Sequence, residues 1–210
     1  MTNSHTRQSL VRRAPAAGLL LMLAACAGSP APQRSSHIEI EENVGFTITV
    51  DARVSSNVRS EYEAAILLLE QGNESAGIAR LEAVIAQAPE LSAPLIDLGI
   101  ARHRAGDLEE AERNLKKALA LDPGHPIAHN ELGIIYRRTG RFDAARKSYE
   151  AALSIYPGYH FARRNLAVLC DLYLAHRACA LENYEAYMAT VPSDEEAAMW
   201  IADLQNRTER

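Results

Sequence analysis

The 210-residue chain sets 22 Lys and Arg against 27 Asp and Glu, a formal net charge of −5, and 48% of its residues are apolar. An acid-leaning chain without a basic stripe lacks the electrostatic footprint of a nucleic-acid binder. Residues 1–25 hold Arg7, Arg12 and Arg13 and no acid, so without them 19 basic residues face 27 acidic ones, a net of −8, which also excludes a polybasic grip on anionic lipid.

The opening "MTNSHTRQSLVRR" is basic, "APAAGLLLMLAA" is apolar, and small residues lead to Cys26. A charged start, a short apolar run and a small-residue break predict a secretory signal rather than a spanning helix, which needs roughly 20 apolar residues. The tetrad Leu23, Ala24, Ala25, Cys26 resembles the lipobox of bacterial lipoproteins. That resemblance implies cleavage before Cys26, acylation of Cys26 and anchoring of the chain by its lipid; the alternative is an ordinary secreted protein. With Ala27 after the cysteine rather than Asp, the same resemblance implies the outer membrane, facing the periplasm.

Residues 26–45 begin with "CAGSPAPQRSSH", a small, polar, proline-bearing stretch that reads as a lipid anchor and flexible tether. Over residues 46–57, Phe46, Ile48 and Val50 alternate with Thr47 and Thr49, which predicts one extended or β segment. A lone strand needs a partner, a helical surface to lie along, or solvent.

From residue 58 the sequence repeats. Pro89, Pro123 and Pro157 are 34 residues apart, as are Gly72, Gly106 and Gly140, and so are Leu81, Leu115 and Tyr149. A fixed period of this length predicts stacked helical hairpins. The units run 58–91, 92–125, 126–159 and 160–192; the last is eroded, and its Pro192 arrives one residue late. Residues 193–210 then offer Ser193 and Glu196 as a capping box and Trp200, Ile201 and Leu204 as one apolar face, so they read as a capping helix.

The unit 92–125 resembles the tetratricopeptide repeat (TPR). Leu98-Gly99 and Leu132-Gly133 match the family's Leu-Gly pair, Gly106 and Gly140 its turn glycine, Ala111, Ala118, Ala145 and Ala152 its small positions, and Asp122-Pro123 its closing pair. The resemblance implies an all-α, right-handed α-solenoid of about four hairpins plus a cap, whose first helices line a groove for a protein or peptide partner. Carried onto this sequence, the groove positions are Tyr62 and Ile66; Ile96, Ile100, His103 and Arg104; Ile127, Asn130, Ile134, Arg137 and Arg138; and Phe161, Arg164, Asn165 and Val168. Ile66, Ile100, Ile134 and Val168 form one apolar column. TPR proteins that clamp a terminal carboxylate carry Asn in that column, so a clamp is not implied here. The column either meets a partner or is covered by the chain itself, with "GFTITV" as the first candidate.

No catalytic motif, phosphate loop or metal signature is present, so the expectation is a non-enzyme without cofactor or metal. His125 and His129 are four apart but straddle Pro126 at a helix start. Cys170 and Cys179 flank the turn of the fourth hairpin. They are either bonded, which needs Cα atoms within about 7 Å, or two buried thiols. The functional expectation is a lipid-anchored periplasmic scaffold for an envelope assembly. A homo-oligomer with a self-filled groove and an accessory subunit of a partner enzyme are the alternatives.

Overall fold

The computed structural model describes residues 36–41, 45–50 and 54–207. The signal and Cys26 lie outside the described residues. The tether reading through residue 45 is corrected in its last part: Ser36–Glu41 forms strand β1, which pairs antiparallel with β2, Gly45–Val50. The expected strand therefore has its partner immediately upstream. The register sets Ile38 opposite Ile48, Ile40 opposite Phe46 and Glu39 opposite Thr47. "HIEIE" alternates with the same period of two as "FTITV", with glutamates taking the place of threonines.

Among the described residues, α1 (Ser56–Glu70), α2 (Glu74–Gln87), α3 (Ser92–Arg104), α4 (Leu108–Leu121), α5 (Pro126–Arg138), α6 (Phe142–Ile155), α7 (His160–Leu172), α8 (Arg177–Thr190) and α9 (Glu195–Asn206) follow. They pack as four antiparallel hairpins, each against the next, with α9 on α8. The starts are set by caps. Ser55 Oγ accepts the Val58 N–H, Asp107 accepts the Glu110 N–H, and Pro126 opens α5 where no donor is needed. α9 is capped by Asp194, not Ser193: its carboxylate accepts the Ala197 N–H at 3.0 Å and the Tyr187 hydroxyl at 2.7 Å. The shift by one residue lets a single side chain cap α9 and tie it to α8.

The core is a set of repeated close approaches. A Cβ on Gly99 would lie 2.7 Å from the Leu115 side chain, and one on Gly133 only 2.4 Å from the Tyr149 ring. The large residue at the Leu81, Leu115 and Tyr149 position is fully buried in each unit, and Tyr184 fills it in the fourth at 1% exposure. Trp200 of α9 closes that end, its ring 5.4 Å from Tyr184. Between the helices of the first three hairpins, Gly72, Gly106 and Gly140 take φ of 76°, 87° and 74°, a left-handed turn that favours glycine.

Because Tyr149 occupies the space a Cβ would need, Gly133→Ala should force α5 and α6 apart. The expected loss is about 1–3 kcal/mol, measured as a lower urea midpoint at unchanged slope. An unaltered midpoint would mean that this spacing does not hold the hairpin.

Candidate functional site

The first helices of consecutive units, α1, α3, α5 and α7, touch one another in succession, whereas among the described elements no two second helices do. The stack is tighter on the first-helix side, which makes that side concave. Ile66, Ile100, Ile134 and Val168 lie along it, each partly exposed, at the repeat step. Phe161 at 56% exposure and Leu172 at 67% stand at its far end.

Two of the expected groove residues are not on its surface. Ile96 is 3% exposed and belongs to the core between the second and third units. Asn130 is 2% exposed and accepts a hydrogen bond from Asn165 Nδ2 at 2.9 Å. Tyr62, Ile127, Arg137, Arg164 and Asn165 are half-buried as well, and most of the polar ones are already engaged. The Tyr62 hydroxyl donates to Asp97 of the next unit. His103 Nδ1 stands 3.5 Å from Glu131 of the unit after it. Arg164 reaches Glu196 at 3.1 Å and Asp194 at 3.7 Å near the start of α9, and lies over the Trp200 ring.

These contacts form a ladder that joins each first helix to its neighbour. Tyr62 to Asp97 and Asn130 to Asn165 are the same pairing, 35 residues apart, in different units. Where Ile96 replaces the polar partner, His103 takes the carboxylate of Glu131 instead. Asp97 and Glu131 are the functional-face residues that the sequence reading left out. Their signal was available: Glu63, Asp97, Glu131 and Asn165 recur every 34 residues, beside the column that contains Tyr62.

Burial pushes the Asp97 carboxyl above the usual carboxylate range, against the opposing pull of the Tyr62 hydroxyl and of Arg104. Burial and the Asp97 charge in turn hold the Tyr62 hydroxyl protonated, as its donor role requires. Beside them, Ile66, Leu69, Asp97, Ile100 and Arg104 line a cavity of about 170 Å³ between α1 and α3. Arg104 and Arg138 occupy one repeat position at the helix ends and are both exposed. Arg137 is half-buried, its guanidinium 5.8 Å from the Tyr173 ring.

Away from the groove, Cys170 and Cys179 are joined by a disulfide with Cα atoms 5.9 Å apart. His125 is buried, and burial lowers its pKa to about 4, while His129 Nε2 contacts the Pro123 carbonyl at 3.0 Å. Among the described residues no group of three His, Cys, Asp or Glu is placed to hold a metal ion, and no helix is long and apolar enough to cross a membrane.

The tetratricopeptide repeat family model matches residues 62–111 and 96–160, and the chain carries these repeats. No curated protein matches the chain significantly. Among solved structures, it is similar to a fragment of MamA from Desulfovibrio magneticus (18% identity, TM-score 0.66, 74% of this chain and 87% of that one). It is similar to PilF of Pseudomonas aeruginosa (19%, TM-score 0.66, 72% and 69%). A chain in the structure of Naa15/Naa10 bound to HypK is also similar (23%, TM-score 0.58, 72% and 23%). At these identities the likeness concerns the fold. A TPR array of this kind is suited to protein–protein interaction.

Tyr62→Phe should leave the Asp97 carboxylate without its donor, at a cost of about 1–3 kcal/mol near neutral pH. The sign with pH follows from the raised carboxyl. Its favourable contribution is full below the ordinary carboxylate pKa and is lost as pH rises through the folded-state value. The variant raises that value further, so its deficit should grow from pH 4 to pH 7 in urea melts. A deficit independent of pH would contradict the pairing.

Proposed function

We propose that the chain is a non-catalytic, lipid-anchored TPR scaffold that presents its first-helix groove to a protein or peptide partner in the periplasm. The observation that carries the reading is the division of labour on that face. The polar ladder locks the units to one another, while Ile66, Ile100, Ile134 and Val168 stay partly exposed beside Arg104 and Arg138. An apolar seam edged by Glu70, Arg104 and Arg138 suits an extended or helical segment whose side chains enter the seam. The Naa15/Naa10 structure bound to HypK is in keeping with an array that works inside a protein complex. Lipid anchoring rests on the lipobox at Cys26, and an outer-membrane address on Ala27.

A second reading has its own observation. A two-stranded sheet such as β1–β2 is marginal alone, and its free edges suit pairing with a second copy, giving a homo-oligomer. Mass measurement of the purified chain separates the two.

Ile100→Ser with Ile134→Ser should leave the array folded but lower the melting midpoint, because both side chains also pack against the core and each gives up part of the roughly 1.5–3 kcal/mol that a fully buried aliphatic side chain contributes. The same pair should abolish partner capture from an envelope extract, because a few central apolar anchors carry most binding energy. Undiminished capture by the folded double variant would contradict the groove. Cys26→Ser should release the chain from the membrane fraction or leave it uncleaved. Unchanged, detergent-dependent fractionation would contradict the anchor.

A further inference from the structure

The fourth hairpin departs from the other three at its turn. After the first helices of units one to three, the left-handed position is Gly72, Gly106 or Gly140. In the fourth unit the first-helix columns keep the 34-residue step, from Gly133 to Ala167, but the second-helix columns move by 35, from Ala145 to Ala180 and from Tyr149 to Tyr184. One residue has entered the turn. The left-handed position, 35 beyond Gly140, is Ala175 at φ 50°, the one non-glycine residue with positive φ among those described. The hydrogen bond that closes the third turn, Arg141 N–H to Tyr136 O, becomes His176 N–H to Cys170 O at 2.8 Å across the longer loop. Cys170 thus stands at the root of the enlarged turn, and its sulfur crosses to Cys179 in the first turn of α8.

We propose that the Cys170–Cys179 bond stands in for the missing turn glycine, so that the second half of the fourth unit and the capping helix are held in place only while this pair is oxidised. The chemistry is ordinary exchange. A dithiol reductant attacks one sulfur, forms a mixed disulfide and releases the other as a thiolate, then closes its own ring. The two cysteines end as thiols and the reductant as a cyclic disulfide. What the bond holds follows from the contacts. Among the described elements α8 packs on α7 and α9 rather than on α6, and α9 packs on α8 while Arg164 and Arg207 also tie it to α7. Repeat arrays are stabilised by nearest-neighbour contacts, so loss of the staple should act on α8 and α9 and spare α1 to α6. Arg164 is held by Asp194 and Glu196, so the last quarter of the groove depends on the same bond. Only this consequence rests on the scaffold reading; the staple itself is tested without any partner.

The test is amide hydrogen exchange on the purified full chain, oxidised and after reduction with dithiothreitol. The two cysteines are nine positions apart in sequence. Freeing a loop of that size should raise the opening constant of α8 and α9 on the order of 100-fold, with α1 to α6 unchanged. Ala175→Gly should recover part of the lost protection in the reduced chain, because glycine adopts the left-handed backbone without strain. Equal exchange in both redox states would overturn the proposal, as would a loss spread over the whole array. If reduction loosens α8 and α9 but Ala175→Gly restores nothing, the bond does not replace the glycine and the proposal also fails.

Discussion

Everything else in the array depends on how closely the two helices of one hairpin approach. Leu115 sits where a side chain on Gly99 would be, and Tyr149 where one on Gly133 would be. With that spacing set, each hairpin still has an unburied apolar flank. The next unit must cover it, and the core clusters accordingly draw residues from neighbouring units. The 34-residue step follows from repeating one packing solution rather than from any single contact.

The stacking places equivalent residues of successive first helices side by side, and the polar ladder follows from it. A half-buried carboxylate such as Asp97 is tolerated because the unit before it supplies a hydroxyl; an unpaired one would be costly. Charges on the outer side find partners mostly along or between helices. Examples are Arg102 with Glu82, Lys116 with Glu112, and Arg141 with the same Glu112, whose carboxyl is drawn down to about 2 chiefly by its Arg141 hydrogen bond. What is left over on the concave side is apolar at its centre and charged at its edge, with Glu70, Arg104 and Arg138 in one repeat position. The reading as a binding surface comes from that remainder.

Much of the array could be read from residue types alone, because the constraint is one of size. Gly99, Gly133, Ala111 and Ala145 must be small, Leu81, Leu115 and Tyr149 must be large, and the period exposes both. The face of the site was less legible. Ile96 and Asn130 occupy groove positions in the repeat yet lie buried, since exposure depends on how far each neighbouring helix leans over the seam, and repeat position does not encode that. β1 was missed because its alternating glutamates resemble a solvated linker as much as a strand. The one-residue slip at Pro192 was visible, but its meaning needed the backbone: only there does Ala175 emerge as the counterpart of Gly140, beside a bonded Cys170.

The most direct measurement is the solvent exposure of individual isoleucine methyl groups in the isolated, oxidised full chain, read by NMR with a soluble paramagnetic probe. The account predicts strong broadening of the Ile66, Ile100 and Ile134 methyls while Ile96 and Ile135, both in the core, stay sharp. If Ile100 and Ile134 were as protected as Ile96, the seam would already be filled and could not be the surface that receives a partner.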